Sequence, residues 1–192
     1  MISRRWVRVL LAGVVVLFTG LASVGIASAR TVGDLNFVIG QKFFDDDEWG
    51  SIDEHDAFGI ELTWGNADWP FLIATDIIYS TTDENVLGVD VDGTTIEFDF
   101  GVRKIWQRGN ARPYIGGGLA YISGEIDSAG GKILDESELG GWVGGGVYWR
   151  VGRRFNIGAA LRFSSAETDI PGGDLNLGGT TFGLTLGWGW PN

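Results

Sequence analysis

Along most of this chain, large apolar residues alternate with small, polar or charged ones. A period of two places side chains i, i+2 and i+4 on one face of a β-strand. The clearest case is Thr180–Trp190, TTFGLTLGWGW. Phe182, Leu184, Leu186, Trp188 and Trp190 share one face, with Thr181, Gly183, Thr185, Gly187 and Gly189 on the other. One face is uniformly large and apolar, the other small or hydroxylated. A membrane barrel divides its strands in this way between lipid and interior, and a final strand of this kind closes such a barrel by pairing with the first.

The same alternation predicts seven earlier strands: Asp34–Phe43, Ala57–Gly65, Phe71–Ser80, Thr95–Trp106, Pro113–Ser123, Leu139–Arg150 and Phe155–Ser164. Phe58, Ile60, Leu62 and Trp64 oppose Gly59, Glu61 and Thr63, whereas the third strand alternates least clearly. Strands of about 10 residues match the length a tilted strand needs to cross a bilayer. The connections alternate long and short: Phe44–Asp56, Thr81–Thr94, Gly124–Glu138 and Ser165–Gly178 are long, whereas Asn66–Pro70, Gln107–Arg112 and Val151–Arg154 are tight turns. Short periplasmic turns and longer extracellular loops are the asymmetry of bacterial outer-membrane barrels. The predicted fold is therefore all-β, an eight-stranded antiparallel up-and-down transmembrane barrel occupying residues 30–192.

A soluble eight-stranded barrel of the lipocalin kind inverts the faces, with apolar residues inside and charges outside. Three features argue against it. The charged alternate positions, Glu61, Glu97, Asp99, Arg103, Arg150 and Arg162, carry both signs and sit among glycines, as in a crowded polar interior. Aromatics gather at strand ends (Phe43, Trp64, Trp106, Phe155, Trp188, Trp190), as interfacial girdles do. Finally, Thr181-x-Gly183-x-x-Leu186-x-Trp188 resembles the C-terminal targeting strand of bacterial outer-membrane barrels, although this chain runs on through Gly189–Asn192. Arg112–Gly118 (RPYIGGG) likewise resembles a recurrent sequence of small outer-membrane barrel domains. Taken together, the chain after residue 29 resembles the small eight-stranded outer-membrane family, the OmpA-like and OmpX-like barrel domains. That resemblance implies a monomer in the outer membrane, surrounded by its lipids and lipopolysaccharide and inserted by the barrel-assembly machinery.

Residues 1–29 read as a cleaved signal peptide, with Arg4, Arg5 and Arg8 at its start, an apolar stretch over Val9–Leu21, and Ala27-Ser28-Ala29 as cleavage site. Its removal deletes three arginines and no acids, moving the formal charge from −11 to −14. Nucleic acid is excluded as a partner for so acidic a surface. The absence of Cys excludes disulfides and thiolate metal sites. The 32 glycines follow no Gly-X-Y period and lie among aromatics within the strands.

Charge is sorted between the two ends. The four long loops hold 19 of the 25 acids against one base, Lys132, while the short turns carry Arg108, Arg112, Arg153 and Arg154 with Asp68 as their one acid. Acidic loops are sufficiently explained by solubility. The alternative is diffuse coordination of calcium or magnesium, for which carboxylates supply oxygen ligands. Asp45, Asp46, Asp47 and Glu48, and Asp90 with Asp92, are the densest candidates; neither stretch completes an EF-hand, so loose bridging to lipopolysaccharide phosphates is the expectation. No resident cofactor is implied.

The one histidine, His55, falls in the first loop. Barrels that modify lipid A place a His with a Ser and an acid near the membrane surface. The His-x-Ser pairing of the deacylases is missing, since His55-Asp56-Ala57 stands there, but His55 with Ser80 and Asp83 leaves a palmitoyltransferase-like arrangement open. The simpler expectation is a solvated loop histidine. The inward charges should pair across an interior wide enough only for its own side chains. The leading expectation is a non-enzymatic surface barrel with a structural, envelope-integrity or adhesive role. The alternatives are a lipid A-modifying enzyme using His55 and a narrow small-molecule channel.

Overall fold

A computed structural model describes residues 31–190 except 87, 129–130 and 171–172; the signal-peptide expectation for residues 1–29 lies outside the described residues. The order is β1 (Thr31–Phe43), a one-turn helix α1 (Asp46–Trp49) with a 3-10 turn (Gly50–Ile52), β2 (Glu54–Asn66), β3 (Leu72–Val86), β4 (Val89–Ile105), β5 (Ala111–Ser128), β6 (Gly131–Val151), β7 (Phe155–Ser165), β8 (Glu167–Ile170), β9 (Gly173–Asn176) and β10 (Gly179–Trp190). The strands close as β1-β10-β7-β6-β5-β4-β3-β2, every pair antiparallel, with β8 and β9 forming a separate hairpin between β7 and β10. Among the described residues no helix is long and apolar enough to cross a membrane; the strands do the crossing.

The closing strand β10 pairs with β1 from Phe43↔Thr180 to Gly33↔Trp190. Its alternation survives intact: Phe182, Leu184, Leu186 and Trp188 are exposed, and Thr181, Gly183, Thr185, Gly187 and Gly189 are buried. The same parity around the barrel produces an outward apolar belt that includes Phe37, Ile39, Phe58, Phe100, Leu119 and Val143. Soluble monomers rarely leave an apolar belt of this kind in water. On the inner face, Gly101 faces Gly118 across β4 and β5, and a Cβ on either would collide with the opposing backbone. Glycine there leaves room inside a narrow barrel for the large side chains above and below.

The strands are longer than their membrane-crossing cores. β3, β4, β5 and β6 run to 15, 17, 18 and 21 residues. Two of the expected loops are therefore mostly strand: β3 and β4 continue through Thr81–Thr94 to a tight turn, and β5 and β6 continue through Gly124–Glu138. Lipid contact sets the apolar alternation but not where pairing ends. Beyond the belt, backbone hydrogen bonding sustains a ladder with polar side chains on its outer face. The other two long connections are also structured. Phe44–Asp56 contains α1 and the start of β2, and Ser165–Gly178 contains the β8–β9 hairpin.

Candidate functional site: the barrel interior and its two ends

Inward positions of the strands stack into storeys. The lowest, at the short-turn end, centres on Asp34 of β1. Its carboxylate accepts from Tyr148 Oη at 2.8 Å, Asn156 Nδ2 at 3.0 Å and Arg150 Nη2 at 2.5 Å. Arg150 also donates from Nε to Asn156 Oδ1 at 2.7 Å.

The middle storey gathers Glu61, Asp76 and Asp99 around Arg103 and Arg162, all 4% exposed or less. Arg103 donates to Thr63 Oγ1 and Asp76 Oδ2, both at 2.7 Å, and lies 3.7 Å from Glu61. Arg162 pairs with Asp76, Asp99 and Glu61. Trp142 from β6 lies against both guanidiniums, 4.5 Å from Arg162 and 5.8 Å from Arg103. Burying such charges is tolerable because every ion is paired, Glu61 and Asp76 with both guanidiniums and Asp99 with Arg162.

The upper storey is a polar chain. Glu97 accepts from Lys42 Nζ at 3.0 Å and Ser164 Oγ at 2.8 Å. Lys42 also reaches Thr95 Oγ1 at 3.4 Å, Thr95 shares a hydrogen bond with Ser80 at 2.7 Å, and Ser80 Oγ lies 3.1 Å from His55 Nδ1. His55 Nε2 lies 3.2 Å from the Ile52 carbonyl oxygen.

His55 is therefore not the solvated loop histidine expected. It sits near the start of β2, opposite Lys42, 1% exposed, and walled by Phe44 and Trp49. Its level is that of the outward Glu54 and Asp56, above the apolar belt, which begins on β2 at Phe58. Burial, reinforced by the Lys42 ammonium, lowers its pKa from 6.5 to about 4, so the imidazole is neutral. It meets Ser80, as one sequence alternative required. Asp83 instead lies farther along β3 on the outward parity, facing Asp92.

Between and above these storeys, the interior also carries apolar side chains. Inward Ala74, Ala120, Ile122, Leu134 and Trp142 form one cluster with Phe44, Trp49, Ile52, Leu175 and Leu177 from the connections. Phe44 stacks on Trp49 at 4.1 Å. Trp49 Nε1 donates to the Asn176 carbonyl at 2.9 Å, and Asn176 N donates to Glu48 Oε2 at 2.7 Å, joining α1 to β9. This cap revises the expectation of a polar interior throughout. An interior that meets packed loops can bury hydrocarbon at that end as a soluble protein does.

The charge network is also larger than its six sequence candidates. Glu61, Asp99, Arg103 and Arg162 belong to one storey, but Arg150 pairs with Asp34 and Glu97 with Lys42. Asp34, Lys42 and Asp76 complete the set. Each lies on the inward parity of its strand, and that parity was their signal. Arg112, expected in a turn, is inside β5 opposite Tyr148.

Of the cation candidates, Asp45, Asp46 and Asp47 are exposed and bring their carboxylate oxygens within 4.8 Å of one another. Asp45 is also the N-cap of α1, accepting from Asp47 N, whereas Glu48 is engaged by Asn176. Asp90 accepts from Asn85 at 2.7 Å. Asp92 faces Asp83 on one side and Asp127 on the other. Partial desolvation and the Asp83 carboxyl raise its pKa. The six carboxylates thus occupy separate segments, the first connection and the β3–β4 hairpin.

No protein-family model matches the sequence, and no curated protein matches it. Solved structures do. The attachment invasion locus protein Ail of Yersinia pestis, in complex with the heparin analogue sucrose octasulfate, aligns over 84% of this chain and 99% of its own, at 13% identity and a TM-score of 0.61. The outer membrane protein OprG of Pseudomonas aeruginosa covers 85% and 97%, at 12% identity and TM-score 0.53. Neisserial surface protein A covers 83% and 94%, at 14% identity and TM-score 0.50. The chain has the fold of the small eight-stranded outer-membrane barrels. Closure, lipid-facing belt and fold together place it in the outer membrane.

Proposed function

We propose that this protein is a sealed, non-catalytic outer-membrane barrel that presents an ordered acidic platform to the exterior, serving envelope integrity or surface binding as a monomer. The observation that carries this reading is the filled interior, with three storeys of paired charge below an apolar cap. A continuous water path would have to break ion pairs at several levels, and truncating buried pairs is strongly unfavourable. Purified protein in planar bilayers should accordingly give no large, steady conductance. Reproducible porin-sized steps would refute the plug and favour the channel.

The loop chemistry also bears on what the platform binds. Ail is in complex with a sulfated heparin analogue. Here the exterior connections hold 19 acids against Lys132, so a polyanion is disfavoured at this end and cations or basic surfaces are favoured. The hydrogen bond between His55 and Ser80 supports a second reading, a lipid A-modifying enzyme. A nucleophile needs access to substrate, and both residues are 1% exposed or less.

A further inference from the structure

The short-turn end of the barrel contains a cavity of about 470 Å³ at the mouth of the interior. Both β1 and β10 end there, since Gly33 pairs with Trp190, so it opens to the periplasm in the orientation such barrels adopt. Its charged lining is Arg103, Lys104, Arg112, Arg150, Arg153 and Asp34. Five cations face one carboxylate, and that carboxylate is already held by Tyr148, Arg150 and Asn156.

The cations are not all used. Arg103 is 2% exposed and spends its η nitrogens on Thr63, Asp76 and Glu61, but its Nε is buried with no hydrogen-bond partner. Arg112 Nε, one storey below, is likewise buried without an acceptor. A buried charged donor left unpaired is costly. Two incompletely paired guanidiniums in one cavity wall, with Arg153 at the rim and Lys104 held beside it by the Pro70 carbonyl at 2.7 Å, form a site prepared for an oxyanion. Guanidinium forks match the paired oxygens of phosphate. The volume exceeds that of a bare ion and admits a phosphate joined to a small polar group.

We propose that the periplasmic mouth of this barrel is a binding site for a phosphate group, carried either by a soluble periplasmic compound or by an inner-leaflet phospholipid. The Arg112 guanidinium supplies the inner donors, Arg103 positive charge behind it, and Arg153 the charge at the rim.

Titration calorimetry with inorganic pyrophosphate, on barrel purified in zwitterionic detergent and against chloride of equal ionic strength, provides the test. We expect one saturable site. Arg112→Gln should weaken it about tenfold or more, the loss of a charged hydrogen bond. Arg153→Gln should weaken it less. Both variants should keep the heat-modifiable gel mobility of the folded barrel, and Asp45→Asn at the opposite end should leave binding unchanged. No saturable heat beyond that of chloride would overturn the proposal, as would full affinity in both arginine variants. Lipid added to the same micelles separates the two sources. Displacement of pyrophosphate by phosphatidylglycerol beyond that by an equally charged fatty-acid carboxylate identifies the lipid phosphate as occupant, and no such excess identifies a soluble compound.

Discussion

Holding a neutral imidazole beside a lysine makes the exterior cap sensitive to acid. His55 titrates at about 4 in the folded protein, against 6.5 for the free side chain. Between these values an opened cap takes up a proton that the closed cap refuses. Stability is therefore complete above pH 6.5 and falls as the pH drops toward 4, by at most about 3 kcal/mol. Hydrogen-exchange protection factors of α1 and the 3-10 turn, corrected for the intrinsic pH dependence of exchange, should fall between pH 7.5 and 4.5 in the wild type. In His55→Gln the dependence should largely disappear. Equal protection at both values in the wild type would contradict this account. The same variant should leave lipid A acylation unchanged in a strain carrying this barrel alone; a lost modification would restore the catalytic reading. The acids that flank His55 give its segment the composition of a loop. Continuing the alternation two residues back from Phe58 puts Asp56 outward and His55 inward, and the same parity identifies Asp34, Lys42 and Asp76.

The strand β10 bears the most testable role among the elements. Leu186 and Trp188 are exposed at 56% and 43% on the lipid face, and both lie in the Thr181-x-Gly183-x-x-Leu186-x-Trp188 pattern. Changing the pair to Asp places one acid on the lipid face and one at its interfacial edge, each costing on the order of 1 kcal/mol or less to 2 kcal/mol with depth, and removes the aromatic end of the pattern. Folded, protease-resistant barrel should be lost from the membrane fraction. Normal levels in the double variant would mean that the strand contributes neither lipid contact nor an assembly signal. Strand number, order and faces were legible because lipid enforces a strict period of two. Strand ends were not, because Thr81–Val86 and Val89–Thr94, and the residues flanking Lys132, carry no apolar alternation yet continue the ladders, with one register shift between Ile126 and Asp127. The cap was hidden for another reason. Ile122 and Leu134 look like any apolar strand residues until the register turns them inward toward Trp49 and Leu177.

Over the whole molecule, charge is polarised, basic at the short-turn end and acidic at the exterior. The β3–β6 wall concentrates this polarity, for Asp83, Asp92 and Asp127 lie in one cross-strand row ending at Lys132. Lys132 itself is drawn to Glu125 at 2.6 Å and Asp135 at 3.0 Å, which leaves the aspartates facing one another. The raised Asp92 pKa has the corresponding sign. A carboxyl held above its ordinary value opposes folding at neutral pH and ceases to do so as it is protonated. The outward parity of this row points it toward lipopolysaccharide phosphates above the belt, which adds repulsion of the same sign. Divalent cations can relieve both by bridging carboxylates to phosphates. Millimolar calcium or magnesium should therefore raise the thermal stability of the barrel in lipopolysaccharide-containing bilayers, with little selectivity between the ions. Changing Asp45, Asp46 and Asp47 to Asn and Glu48 to Gln should weaken the effect only in part, because the Asp83–Asp92–Asp127 row still responds. Adding Asp92→Asn should weaken it further. Identical melting with chelator and with added cation would mean that the acidic face serves solubility alone.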